Sequence, residues 1–248
     1  MIFFRRLLSL LHMIWCASVF IIMMLIMFPF VILINTLFSG KRAQALSFVC
    51  LRIWARVFLI LGLYRLEIKN THYCDPKGSF IYVCNHASYL DAIAIVLSAP
   101  QAFKPLGKKE LVKVPIFGWM YKNLVVLVDR SSPESRAKSV ELLKTDLQKG
   151  QSLFIFPEGT MNRGEETLAQ FYDGAFRIAI ETQTPLAPMV LLNAGKLLHR
   201  DHPTHSKPGT LTMVFMPPVP VAGLSLDDLP KLKAEVKQLM EKQILAHS

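Results

Sequence analysis

The sequence predicts an α/β fold: a mixed, mainly parallel sheet flanked by helices, preceded by an N-terminal membrane-anchoring helical segment. Three observations predict it. From residue 66 onward short apolar runs alternate with helical patterns, the pattern of parallel strands joined by crossover helices. Residues 7–38 form one apolar run without a charged residue, longer than soluble cores normally use. Polar clusters close three of the apolar runs, at Asn85–His86, Asp129–Arg130 and Glu158–Thr160. Parallel sheets gather their reactive groups in the crevice at the carboxyl ends of the strands.

Composition sets the surroundings. Hydrophobic residues make up 52% of the 248, and mean hydropathy is +0.36, too apolar for an ordinary soluble chain. The net charge of +10 suits an anionic partner such as a lipid surface or a phosphorylated substrate. Nucleic acid is the poorer choice, because the aromatic residues sit inside apolar runs rather than among basic ones. Cys16, Cys50, Cys74 and Cys84 are scattered without a CxxC. They read as reduced thiols in a cytoplasmic-type environment.

The N-terminal run is too long for a secretory h-region and shows no clear cleavage site. A straight helix over residues 7–38 would reach roughly 48 Å, past the roughly 30 Å of hydrocarbon, so it tilts, overshoots or breaks, with Pro29 as the candidate break. A second apolar segment, residues 45–64, carries Arg52 and Arg56. Four residues apart, they share one helical face, placed to reach lipid phosphates while the opposite face enters lipid. Basic residues flank the first run on both sides (Arg5 and Arg6, then Lys41 and Arg42), so the positive-inside rule gives no orientation. A single spanning helix and a helical hairpin within one leaflet both fit.

In the remainder, buried strands are predicted at 79–84, 123–128, 152–157 and 186–192, with a proline-bearing edge strand at 210–219. Helices are predicted near 89–98, 109–121, 133–148 and 171–183. Leu229, Leu232, Val236, Leu239, Met240 and Ile244 trace a final amphipathic helix. The three histidines of "HRDHPTHSKPGT" (199–210) lack regular metal-ligand spacing, and no metal site is expected.

His86 and Asp91 are five apart, a spacing that does not meet on a continuous helix. It works with His86 in the loop and Asp91 in the first helical turn. Ser88 as N-cap and Asp91 three residues on form a capping-box-like pattern, so Asp91 has a structural reading as a cap. In the functional reading its carboxylate fixes the imidazole tautomer, and the other nitrogen takes a proton from an alcohol. In "FPEGT" a Pro-Glu-Gly turn ends a strand, and Gly159 permits close backbone approach to a ligand. Lys108, Lys109, Lys113 and Arg130 are placed to form a cationic wall for phosphate. Arg130 is the best of them, with its planar fork and its place directly after a strand.

Four blocks, "NHASYLD", "KKELVKVPIFGW" with "VDR", "FPEGT" and "TPLAPMVLL", resemble in sequence and order those of the glycerolipid acyltransferases. The lysophosphatidic acid (1-acyl-glycerol-3-phosphate) acyltransferase group is nearest, over roughly residues 66–220. The resemblance implies membrane-anchoring helices over 1–64 and an acyltransferase domain over 65–248. It implies transfer of a fatty acyl group from acyl-CoA or acyl carrier protein to a lysophospholipid hydroxyl, giving phosphatidic acid, with no further cofactor. By the same likeness His86 is the general base and Asp91 orients it. Lys108 and Arg130 contact the acceptor's phosphate, and Glu158, Gly159 and Thr160 hold the acceptor. The site is expected at the membrane, facing the cytoplasm. One departure stands out. The family reads FPEGTR, whereas this chain has Met161 in the basic position and Arg163 two residues on. Arg163 then reaches the phosphate by another path, or the acceptor is less anionic, as a lyso-aminolipid is.

Two readings of other classes compete. A membrane-bound hydrolase would set His86, Asp91 and Glu158 on water or a metal, but no HExxH appears. A non-catalytic lipid-surface protein would rest on the charge and the C-terminal amphipathic helix. A covalent route through Cys84 or Ser88 is disfavoured, because Cys84 is expected to face the sheet packing and Ser88 to cap.

Overall fold

The uncharged run folds as a single helix, α1 (Ile2–Leu37), and Pro29 lies inside it without ending it. A proline removes one ladder bond, which a long apolar helix tolerates. The break comes instead at Phe38–Ser39, and α2 (Gly40–Leu61) starts at Gly40 with φ 58°, a left-handed value that suits glycine. Phe20 of α1 meets Trp54 and Phe58 of α2 edge to face, and Asn35 Nδ2 donates to Ser47 Oγ at 3.1 Å. The outward side chains of the pair, among them Leu11, Ile22, Leu33 and Ile53, are apolar and about half exposed. Both helices are long and apolar enough to cross a membrane.

This computed structural model describes residues 2–129 and 132–247, and the chain packs as two compact units. The first comprises the chain up to Ile68, Ala87–Ala99 and Leu191–Met213. It contains α1, α2, α3 (Leu90–Ser98), α7 (Ala194–Leu197), most of β1 (Tyr64–Lys69), and the first part of β7 (Gly209–Phe215) beside it. Arg52 does not behave as expected. Its guanidinium donates to the carbonyls of Val96 and Ala99 at the end of α3 and lies over the Phe48 ring at 5.0 Å. The last carbonyls of a helix have no partner within it and carry negative partial charge, so a cation from α2 is well matched to them.

The second unit comprises Lys69–His86, Pro100–Val190 and the chain from Val214. Its sheet runs β7-β6-β2-β5-β3-β4, with β2 Ile81–Cys84, β3 Phe103–Lys108, β4 Val126–Val128, β5 Ser152–Ile155 and β6 Leu186–Leu192. β2 pairs in parallel with both β5 and β6, and β3 with both β5 and β4. The carboxyl ends of five strands therefore face one rim. The central strands β2 and β5 are buried throughout. Around the sheet lie α4 (Phe117–Leu124), α5 (Pro133–Gln148), α6 (Gly174–Thr182) and α8 (Leu229–Leu245). α8 buries Leu229, Leu232, Val236 and Met240, four of the six positions in the stripe read from the sequence, and leaves Leu239 and Ile244 half-buried.

Strands β1 and β3 have no counterpart in the sequence reading, and three of the predicted elements differ from it. The segment 210–219 is not an edge strand, since β7 lies between β1 and β6 and stops before Pro217. The helix expected over 109–121 is a 3-10 turn at Lys109–Lys113 followed by α4. Pro115 disfavours a helical residue before it, and Ile116 has φ 64°. The strand expected over 123–128 keeps only β4, because Asn123 belongs to α4 and donates to Trp119 O at 2.7 Å.

Candidate functional site

His86 stands two residues beyond β2. The β2–β5 register pairs Val83 with Ile155; carried three residues further, it sets His86 level with Glu158. The contact is direct: the His86 backbone N–H donates to Glu158 Oε1 at 2.7 Å. The His86 carbonyl accepts from the Asn162 amide at 2.7 Å. The imidazole lies flat against Phe156, ring centroids 3.8 Å apart and planes 12° apart. Main chain and ring are thus both fixed by the segment that follows β5. A side chain held this way loses little freedom when it reacts, which is the preorganisation a proton-transfer group needs.

Glu158 is only 2% exposed. Its second oxygen, Oε2, accepts from the Ala169 amide at 2.8 Å, so each carboxylate oxygen holds a main-chain N–H. The Tyr172 amide donates to Pro157 O at 2.8 Å, closing the 157–172 loop at its base. Gly159 follows at φ 66°, in a turn closed by its amide on Phe156 O at 3.0 Å. Thr160 and Arg163 are exposed on this loop, and Met161 is half-buried.

Lys108 ends β3 and is exposed. The β3–β5 register pairs Pro105 with Phe154, so Lys108 comes level with Pro157 at the same rim. Lys109 Nζ lies 3.6 Å from Asp129 Oδ2; it is paired with a carboxylate rather than standing as an open cation. Arg130 lies outside the described residues.

In the first unit, Asp91 occupies the first turn of α3 and is 1% exposed. Its Oδ2 accepts from the Ala87 amide at 2.7 Å and the Ser88 amide at 2.8 Å. Half of the capping box read from the sequence is therefore present: Asp91 accepts from the Ser88 amide, while the N-cap position falls on Tyr89 and the Asp91 amide donates to Ser88 O at 3.3 Å. Both amides fall on Oδ2. Ser88 Oγ accepts from the Leu90 amide at 3.2 Å and donates to Leu198 O at 2.8 Å, and Cys84 is fully buried. Neither is placed as a nucleophile. The same unit holds an apolar cavity of about 320 Å³ lined by Phe20, Phe58, Tyr89, Leu90 and Ile93 among others. Rings of His199, His202 and His205 stack at 5.3 and 5.4 Å. Among the described residues no three His, Cys, Asp or Glu side chains gather as a metal-holding group.

The partners Phe156, Asn162 and Ala169 were not singled out in the sequence. The flat aromatic contact and the Asn162–His86 main-chain bond depend on the pairing of β2 with β5, about 70 residues on in the chain, and the Ala169 bond on the 157–172 loop turning back to Glu158; no residue pattern announces either.

A parallel α/β sheet with a histidine fixed at its carboxyl rim defines a rim-site α/β protein. The family model described as Acyltransferase matches residues 65–192, and the chain belongs to that family. It is 32% identical over 184 residues to the chloroplastic 1-acyl-sn-glycerol-3-phosphate acyltransferase BAT2 of Brassica napus, covering 73% of this chain and 51% of that one. It is 28% identical over 180 residues to 1-acyl-sn-glycerol-3-phosphate acyltransferase alpha of Mus musculus, covering 71% and 62%. The chain thus spans about half to three-fifths of the length of these relatives. The crystal structure of the 1-acyl-sn-glycerophosphate (LPA) acyltransferase PlsC from Thermotoga maritima superposes with a TM-score of 0.78. It covers 98% of this chain and 96% of that one at 21% identity, which establishes a shared fold.

Proposed function

We propose that this chain transfers a fatty acyl group from an acyl thioester, of coenzyme A or acyl carrier protein, to the free hydroxyl of 1-acyl-glycerol-3-phosphate, giving phosphatidic acid. The observation that carries the reading is the hold on His86: both of its main-chain groups and its ring are fixed by the loop after β5. His86 takes the proton of the acceptor hydroxyl as that oxygen attacks the thioester carbonyl. The tetrahedral intermediate collapses with loss of the thiolate, which takes the proton back from the imidazolium. Asp91 keeps the orienting role its motif gives it, and its cap through Oδ2 is compatible with that. Lys108 at the rim, with Arg130 and Arg163, supplies cations for the acceptor's phosphate. The apolar cavity of about 320 Å³ suits an alkyl chain. α1 and α2 would hold the protein on the bilayer with the site facing the cytoplasm. Within the one unit, α2 reaches the end of α3 through Arg52, and Trp15 Nε1 of α1 donates to Leu61 O of α2, which favours helices lying in one leaflet over a helix that leaves the protein. Residues 1–64 as anchor and 65–248 as transferase remain the working division.

A second acceptor has one observation in its favour. Met161 stands where the family carries a basic residue, so a lyso-aminolipid with a less anionic head also fits. The test is a radiolabelled acyl-thioester assay on the purified full chain, with both donors and a panel of lysolipids. Labelled phosphatidic acid is expected, and His86→Ala should lower the rate by about 10²–10⁴-fold with an unchanged circular dichroism spectrum. Transfer near wild type in that variant would refute the base assignment. Chelator-sensitive hydrolysis without thioester dependence would favour the hydrolase.

A further inference from the structure

A second polar feature lies far from the rim loop in sequence, where α1 meets the loop after α7. Arg6 and Leu10 of α1, with Thr204 and His205, line an open cavity of about 350 Å³. His205 ends a stack of three exposed imidazoles whose neighbouring rings are 5.3 and 5.4 Å apart. Charge here is one-sided. Arg5 and Arg6 head α1, and Arg200 and Lys207 flank the histidines, while Asp201 is the sole carboxylate in residues 1–12 and 199–207. Asp201 Oδ1 lies 3.6 Å from Arg200 Nε, which leaves the Arg6 side of the cavity cationic. Immediately around Arg6, the side chains of Phe4, Leu7, Leu8 and Leu11 are exposed and apolar.

We propose that this cavity binds the phosphate of an anionic glycerophospholipid in the bilayer itself, as a docking site built by residues other than those proposed for the acceptor. Guanidinium, imidazole N–H and the Thr204 hydroxyl are all donors to phosphate oxygens. Leu10 supplies the apolar side that a lipid headgroup, unlike free phosphate, brings with it. The exposed band from Phe4 to Leu11 puts the cavity at the depth where acyl chains give way to headgroups. The site rests on the membrane-anchor reading of α1 and α2, and the experiment separates the two.

Full-length protein is sedimented with vesicles of phosphatidylcholine alone and of phosphatidylcholine mixed with phosphatidylglycerol. The wild type is expected to bind both and to prefer the anionic vesicles. Arg6→Gln with His205→Gln should leave binding to neutral vesicles unchanged and lower the anionic preference roughly fivefold, since a basic side chain near an anionic surface contributes about 1 kcal/mol. Lys231→Gln with Lys242→Gln removes charge from α8 and should leave the preference in place. An equal loss in that control, or an undiminished preference in the Arg6/His205 variant, overturns the site while the anchor stands. A wild type that binds neither vesicle overturns the anchor reading and the site with it.

Discussion

Glu158 shows how a residue picked out by motif takes its meaning from its atoms. At the sequence level it is a carboxylate at a turn tip, expected to hold the acceptor. In the fold it is 2% exposed, with the His86 amide on Oε1 and the Ala169 amide on Oε2. That geometry ties Glu158 to the main chain of His86, and the expectation is that it acts by positioning His86. Glu158→Gln tests it, since glutamine offers one acceptor oxygen and turns an NH₂ toward the other amide. The expected loss of stability is about 1–3 kcal/mol, the cost of leaving a buried donor unsatisfied, read from a denaturation midpoint. Steady-state kinetics should show kcat falling with KM for the acceptor little changed. A raised KM at constant kcat would return Glu158 to acceptor binding. His86 and Glu158 were legible because each closes an apolar run at a strand end. Phe156 and Asn162 were not, because they read as ordinary strand and loop residues until the register brings them to His86.

At the scale of elements, α3 is fixed at both ends by charged side chains. Asp91 holds the Ala87 and Ser88 amides at its start, and Arg52 of α2 holds the Val96 and Ala99 carbonyls at its finish. The start was legible, since Asp91 lies three residues after Ser88. The finish was not: spacing placed Arg52 and Arg56 on one face but not the object that face would meet. Arg52→Leu is expected to destabilise the protein by about 1.5–3 kcal/mol, the range for hydrogen bonds to a charged group, in urea unfolding in detergent. Arg52→Lys keeps one donor and should recover part of the loss. If leucine is tolerated without change, α2 does not support α3. Strand β3 was hidden for a different reason. Pro105 and two lysines within Phe103–Lys108 argue against an interior strand, yet β3 lies between β5 and β4. Pro105 there pairs with Phe154, and parallel alternation from both neighbours outweighs local propensity. The longer apolar strands needed no such context, and Leu186–Leu192 matches its predicted span.

For the whole molecule, the change of texture near residue 64 reads as a domain boundary, but packing crosses it. The chain up to Ile68 forms one compact unit with Ala87–Ala99 and Leu191–Met213. Leu90 and Ile93 are 0% and 5% exposed there, and they share their cavity wall with Phe20 and Phe58 of α1 and α2. Ser206, 1% exposed, meets His12 Nδ1 at 2.8 Å, while His12 Nε2 donates to Gly62 O at 2.9 Å. Deleting residues 1–64 would therefore do more than detach the protein from a bilayer. It would uncover an apolar face of α3, and remove the Arg52 donor to the Val96 and Ala99 carbonyls and the His12 partner of Ser206. Uncovering each large core side chain costs about 1.5–3 kcal/mol, and several such losses approach the 5–15 kcal/mol that holds a typical domain folded. The 65–248 fragment is thus expected to aggregate or to unfold without a cooperative transition, measured by size exclusion and thermal melting beside the full chain in detergent. The full chain should resist extraction by high salt and yield to detergent. A monodisperse fragment with a sharp melt would show that the helices are an appendage rather than part of the fold, and would restore the boundary drawn from the sequence.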